Sequence, residues 1–444
     1  MTSASVNSAA PDARVIESKV VNTLLWRLMP FLFLLYVVNY LDRINVGFAA
    51  LQMQSRLGLS DRIYGLGAGI FFAGYFFFQL PSNLAMARVG ARRWMTGIMV
   101  LWGIISCCMI FVRTPAGFYE LRFALGVSEA GFFPGIILYM KHWFPASGRA
   151  RAVAWFMTAN PLAGVIGGPI SGALLGLHQF GIAGWQWMFL LEGTPAIILA
   201  GVVLLTLKDT PEQATWLAEH EKVWLISALE EERRYQSAVT RSDLGAAFLN
   251  WRVWLLIIVY FGLTTSGYGL ILWMPNYIHS LSKLSNFGIG VISVIPYVAT
   301  AAAMVVTGIL SDRSGKHRAY LAGSALCAAA FLFIAAQTTS IVPGLAFVSL
   351  ALMATFSMQG PFWATSTSLM TGVAAAAGIA LINSFGNLGG FFGPYIIGQK
   401  RTSGAGFGGG MLVLGACLTL AGIIALLVRN PRNQASPAAN NPLQ

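Results

Sequence analysis

The feature that most constrains this chain is a succession of apolar stretches, each about twenty residues long, separated by short polar segments. A helix needs about 20 apolar residues to span a bilayer. Twelve stretches qualify: 24–52, 62–86, 94–112, 117–140, 152–177, 185–207, 252–279, 287–310, 319–337, 342–368, 373–399 and 408–428. Composition agrees, with 56% hydrophobic residues, only 10% charged residues and a mean hydropathy of +0.68. A soluble chain carries about 25% charged residues. The polar N-terminal segment lacks the apolar core of a cleavable signal peptide, so the first apolar stretch is expected to stay in the mature protein.

The net charge of +12 forms no single dense patch, which argues against a nucleic-acid partner. Read instead as topology charges, twenty of the 28 Lys and Arg fall in segments on one side of the membrane and six on the other. That split places both termini in the cytoplasm. The remaining two, Arg43 and Arg122, lie inside helices. The four cysteines, Cys107, Cys108, Cys327 and Cys417, sit in apolar runs with no metal-ligand spacing, so neither a disulfide framework nor a metal is expected.

Residues 208–250 differ from the rest, holding eight of the 16 acids. They form a connector whose helix, announced by Thr210-Pro211-Glu212, is amphipathic through Trp216, Leu217, Trp224 and Leu225. It is expected either to lie on the membrane surface or to pack on the bundle. The connector divides two groups of six spans that share a repeat. "NLAMARVGARR" (83–93) and "GILSDRSGKHR" (308–318) align with an offset of 225, pairing Arg88 with Arg313 and Gly90 with Gly315. The same offset pairs Gly164 with Gly389, Gly168 with Gly393 and Pro169 with Pro394. Parallel repeats of this kind are a transporter architecture, with substrate bound where the halves meet near mid-membrane.

The expected fold class is therefore an all-α membrane protein, with twelve transmembrane helices in two related six-helix bundles (6+6) and both termini cytoplasmic. Its segments are a cytoplasmic tail (1–21), a first bundle (22–207), a cytoplasmic linker with an amphipathic helix (208–250), a second bundle (251–429) and a second cytoplasmic tail (430–444).

With these motifs in place, the chain resembles the major facilitator superfamily over essentially its whole length. "GILSDRSGKHR" resembles that family's loop motif, with Gly308, Asp312, Arg313, Gly315 and Lys316 in position. The first copy departs from it: Asn83 replaces the leading glycine and Ala87 the acid. "NYLDRINVGFA", "GYFFFQLPSNL", "RFALGVSEAGFFPG" and "FWATSTSL" resemble the anion:cation symporter branch, which includes permeases for galactonate, tartrate, phthalate and hydroxyphenylacetate. The resemblance implies an inner-membrane, multi-pass carrier with no cofactor.

Charges within spans are costly and face a cavity by default. Four stand out: Asp42 and Arg43 in the first span, Arg122 and Glu129 in the fourth. Adjacent residues project about 100° apart, so Asp42 and Arg43 need separate tasks. Arg43, whose five-donor fork suits a carboxylate, is expected to bind the substrate anion with Tyr40 beside it. Asp42 and Glu129, at similar depth, are expected to carry protons, with Arg122 tuning Glu129. The resemblance favours these roles over structural ion pairs, and it also implies a cavity lined by Tyr75, Asn160, Trp363 and Asn383. Asn387 and other amides and aromatics of the second half suit a substrate's neutral part. Glu192 lies early in the sixth span and is expected to be structural. Gly168, Pro169, Gly393 and Pro394 allow close helix approach and kinking.

These readings point to proton-coupled uptake of a small organic anion, tartrate or a sugar acid first and an aromatic carboxylate second, by a monomer in the lipid bilayer. Sodium remains open as the coupling ion. An antiporter or efflux carrier is the competing class. An enzyme is not expected, since no nucleophile–base set, metal cluster or phosphate loop is present.

Overall fold

The computed structural model describes residues 9–239, 244–369 and 374–428, and all of its regular elements are helices. The first half comprises α1 (Ala9–Leu57), α2 (Asp61–Val89), α3 (Ala91–Cys108), α4 (Pro115–Glu129), α5 (Phe132–Trp143), α6 (Ala146–Met157), α7 (Ala159–Leu174) and α8 (Gly184–Thr206). The connector holds α9 (Glu219–Val239) and α10 (Leu244–Leu249). The second half comprises α11 (Trp251–Leu281), α12 (Asn286–Ile292), α13 (Val294–Ser314), α14 (His317–Ala335), α15 (Ile341–Ser357), α16 (Gln359–Leu369), α17 (Ala374–Asn387), α18 (Gly389–Thr402) and α19 (Gly406–Leu427).

Counting α4–α5, α6–α7, α12–α13 and α15–α16 each as one span, eleven helices among the described residues are long and apolar enough to cross a membrane. The remaining expected stretch, 373–399, is occupied by α17 and α18, which meet at Leu388; residue 373 lies outside the described residues. Within the expected tail 1–21, residues 9–21 are helical and continuous with α1, while the tail 430–444 lies outside the described residues.

Four of the breaks share one cause. They fall at Gly131, Thr158, Ser293 and Met358, each three residues before a proline (Pro134, Pro161, Pro296, Pro361). A proline ring removes one helical donor and crowds the carbonyl four residues back, so the ladder gives way in the preceding turn. The kink expected at Pro169 and Pro394 is not where the helices break. Both prolines lie inside continuous segments, α7 and α18, and the adjoining breaks fall at Thr158 and Leu388.

The connector packs on the first half. Trp216 stacks on Trp143 at 5.7 Å, Leu225 is fully buried, and Leu229 nearly so. Arg149 makes a bidentate pair with Glu232 at 2.9 Å, and Lys19 pairs with Glu221 at 2.9 Å. Thr210-Pro211-Glu212 opens a short 3-10 turn (Pro211–Gln213) rather than the helix, which begins at Glu219.

The halves meet through α1 against α11, α2 against α18, and α7 against α12 and α13. Small residues permit these approaches: a Cβ at Gly168 would lie 2.6 Å from the Gly290 carbonyl, and one at Gly172 would lie 2.7 Å from that of Asn286. Polar ties join the halves at the base-poor end, where α1 ends and α2 begins. Arg401 pairs with Asp61 at 2.8 Å, Asn276 donates to Gln54 at 3.1 Å, and Tyr64 donates to the Leu272 carbonyl at 2.7 Å. Toward the base-rich end, a groove opens between the halves, lined by Phe33, Ala154, Met157, Met304, Gln359 and Trp363.

Candidate functional site

The buried charges gather where the halves meet. Glu129 ends α4, one residue before Ala130 and the break at Gly131, so its carboxylate projects from the point where that span bends. Arg43 is a mid-helix residue of α1, and its Nη2 donates to Glu129 Oε2 at 3.0 Å. Asn39, one turn earlier, donates to the same oxygen at 2.9 Å. Both pair members are buried, with 8% exposure at the Arg43 side chain and none at Glu129. The Arg43 guanidinium also lies over the rings of Phe71, at 5.2 Å, and Tyr75, at 5.1 Å, both from α2. Its Nη1 reaches the Tyr268 hydroxyl of α11 at 3.5 Å, the one hydrogen bond it makes across the two halves among the described residues. Arg43 Nε and Glu129 Oε1 remain without partners.

Asp42 faces another way, as the 100° geometry requires. It accepts from Ser106 of α3 and, at 3.1 Å, from Asn45. Arg122 is fully buried, lies over the Phe71 ring at 5.1 Å, and donates to the Ala68 carbonyl at 3.4 Å. It forms no direct pair with Glu129 among the described residues; the Phe71 ring is a neighbour of both guanidinium groups.

The other anticipated residues disperse. Tyr40 is buried edge-on to Tyr36, 6.3 Å between ring centres. Asn160 lines a small cavity with Tyr297, Thr300 and Phe356. Trp363 packs against Tyr260 at 5.3 Å and borders the open groove. Asn387 donates to the backbone and side chain of Asn383, at 2.8 and 3.2 Å, so those two amides engage each other. Sequence reasoning missed Phe71 and Asn39 as members of the site. Their signal was spacing: Phe71 lies one turn before Tyr75, and Asn39 one turn before Arg43, each on its neighbour's face.

The loop motifs sit at the base-rich end. Gly315 caps α13 in the left-handed region (φ 64°), and Asp312 lies 3.7 Å from His317. Gly308 has open space around it, while Arg313 and Lys316 are exposed. In the first half Arg88 is exposed and Gly90 also adopts a positive φ of 92°. Ala87 cannot supply the acid, but Asp209 of the connector takes that place. It accepts from the Arg92 amide at 2.9 Å and lies 4.0 Å from its guanidinium. Arg92 and His317 are equivalent under the 225 offset.

An interior charge cluster in a bundle of membrane-spanning helices, with a groove open between the two halves, is an arrangement that suits a transporter. The sequence matches the Major Facilitator Superfamily model over residues 32–394 and again over 282–442, and the chain belongs to that superfamily. It is a multi-pass membrane protein. A protein of Agrobacterium vitis named "Putative tartrate transporter" is 45% identical over 414 residues, covering 93% of this chain and 95% of that one. The "Quinolone resistance transporter" of Acinetobacter baumannii is 39% identical, covering 93% and 95%. Among solved structures, a bacterial homolog of the human lysosomal transporter Spinster, in an inward-facing and unoccupied conformation, superposes with a TM-score of 0.73 at 19% identity. That match covers 93% of this chain and 96% of the other and speaks to the fold alone.

Proposed function

We propose that this chain is a proton-coupled symporter that imports a small organic anion, tartrate or a sugar acid, across the inner (cell) membrane by alternating access. Two six-helix bundles with cytoplasmic termini rock about the central charges. The observation that carries the reading is the buried Arg43–Glu129 pair at 3.0 Å, ringed by Phe71, Tyr75 and Tyr268.

Arg43 has one strong anionic partner, and a substrate carboxylate competes for the same guanidinium. While Glu129 is ionised, an anion must displace it. Once Glu129 is protonated, the bidentate face of Arg43 is free for the substrate. Proton and anion thus favour each other's binding, as symport requires. Asp42 takes the second proton, and Arg122 keeps the carboxylates of the site in a positive field. Loading neutralises charge that would otherwise be costly to carry through the membrane interior. Ties at the base-poor end and the groove toward the base-rich end support an inward-open state, with the base-rich end cytoplasmic. The tartrate-named relative supports the substrate class.

Export is the second reading, favoured by the relative named for quinolone resistance. Proteoliposomes separate the two. Tartrate added outside should alkalinise the outer medium and accumulate under an inwardly directed proton gradient. Expulsion of a preloaded fluoroquinolone driven by an inwardly directed proton gradient, with no response to tartrate, would instead support export and overturn symport.

A further inference from the structure

Glu192 has no part in the site above, yet it is a buried carboxyl with an open oxygen. It lies on α8, its side chain 6% exposed as a residue, and its Oε1 accepts from Ser171 of α7 at 2.7 Å. Its Oε2 has no partner, and neither has Asp42 Oδ2 or Asn45 Oδ1. Asn45 stands between the two acids, bonded to Asp42 at 3.1 Å and close enough to Glu192 to interact with it.

The polar groups form a ladder inside the first half. Gln52 of α1 closes its base-poor end, donating to the Leu175 carbonyl at 2.7 Å and accepting from the Trp185 amide at 3.2 Å. Asn45 is seven residues along α1 from Gln52, and Glu192 is seven along α8 from Trp185. At 1.5 Å per residue both lie about 10 Å inward, at one level. Ser171 lies between that level and Gln52, and Asp42 is one turn further in. Along α1 the ladder occupies one face, Asp42, Asn45, Ala49 and Gln52, at helical spacing.

Other titratable groups near Glu192 are few. From α3, the Cys107 thiol donates to the Leu190 carbonyl at 3.7 Å and lies 3.9 Å from Thr194. From α1 there is Asp42, on which Arg122 and Arg43 act as the nearest cations. From α7 the facing groups are uncharged, with Ser171 the polar one.

We propose that Glu192 is a further proton-carrying carboxyl that exchanges protons with Asp42 across Asn45, by a route within the first half that is separate from the substrate cleft. Three unpartnered oxygens suit the O–H donors of a bridging water. In the step, Glu192 gives up its proton and becomes a carboxylate, while Asp42 gains one and becomes a carboxylic acid. The Gln52 side chain is the gate to the base-poor side. Asp42, which is turned from the Arg43–Glu129 pair, receives its proton this way rather than through the cleft.

The inference rests on the proton-symport reading, and two measurements keep their failures apart. The first needs no substrate. Infrared titration of the purified protein in lipid, from mildly acidic to mildly alkaline pH, should show a protonated-carboxyl band that Glu192→Gln removes. Ser171→Ala should shift that band without removing it. An unchanged titration in Glu192→Gln overturns the proposal.

The second uses tartrate in proteoliposomes. Glu192→Gln should keep tartrate counterflow, which needs no net proton movement, and lose about tenfold in pH-gradient-driven accumulation. Equal loss of both activities would show a merely structural residue and overturn the proposal. Normal driven accumulation in the variant overturns it while leaving symport intact. If wild-type protein ignores the pH gradient, symport fails, and the infrared titration alone decides: Asp42→Asn should shift the Glu192 band if the two carboxyls exchange a proton, and an unshifted band overturns the proposal.

Discussion

The two halves share a repeat but not a chemistry. Among the described residues, the buried charged side chains within the spans are Asp42, Arg43, Arg122, Glu129 and Glu192, all in the first half. The buried polar side chains of the second half are hydroxyls, such as Thr264, Thr265, Ser266, Thr300, Thr365 and Ser366. A charge at a helix centre costs about 2.5–3.5 kcal/mol on the insertion scale. The first half carries that cost several times over, and the second avoids it. What the second half brings to the charges is the Tyr268 hydroxyl and closing surfaces. Under the proposed function, the half that carries the buried charges holds the anion and proton sites, and the other half closes over them.

The sharpest way to break this comparison is Arg43→Ala. Truncating one partner of a buried, hydrogen-bonded charge pair costs about 2–5 kcal/mol. Tartrate uptake should fall by about 100-fold or more, and tartrate should lose its stabilising effect on thermal unfolding. Tyr268→Phe, which removes the second half's bond to the same guanidinium, should cost far less. An equal loss in the two variants would show that the halves share the anion site.

Glu129→Gln should separate the two tasks. Counterflow should persist, because the amide leaves Arg43 free for the anion, while accumulation against a gradient should disappear. Retention of full accumulation would remove Glu129 from the coupling step.

Gly290→Val comes next. Its side chain would meet the Gly168 backbone and hold the halves apart at the base-poor end. A single thiol introduced at Gln54 on a cysteine-free background should then react several-fold faster with an impermeant reagent. An unchanged rate would mean that this contact does not hold that end shut.

The smallest effect concerns the connector. Hydrogen bonding to Arg149 holds the Glu232 carboxyl below its usual range. A depressed folded value contributes stability above the unfolded value, about 4.3, and loses it as pH falls through the folded one. The unfolding midpoint of Glu232→Gln should therefore lie below wild type at neutral pH. The gap should close as pH drops below about 4. A constant gap would mean that Glu232 acts by packing alone.

Much of the fold was legible because its cause is local. Apolar length marks a span wherever it occurs, whereas proline alone did not mark the breaks: Pro81, Pro169, Pro195 and Pro275 lie inside continuous helices. The linker helix was the ambiguous case. Its amphipathic face could meet lipid or protein, and only the stacking of Trp216 on Trp143 and the pairs to Lys19 and Arg149 show the bundle as its partner. The candidate site was legible as a set of charged residues but not as a set of pairs. Arg122 and Glu129 share a helix face two turns apart, which suggested a partnership. The structure joins Glu129 to Arg43 and Asn39 of α1 instead.

By itself, the sequence determined that this chain enters a membrane as helices, that motifs of its first half recur at an offset of 225, and that the charges inside apolar stretches concentrate in the first half. Those properties follow from composition and periodicity, which act along the chain. Tertiary structure decided which acid meets which base, that Asp209 fills the place left by Ala87, and that Asp42 faces Ser106 and Asn45 rather than the Arg43–Glu129 pair. Those pairings depend on helix rotation and on where each span bends, and both are set by packing between residues far apart in sequence.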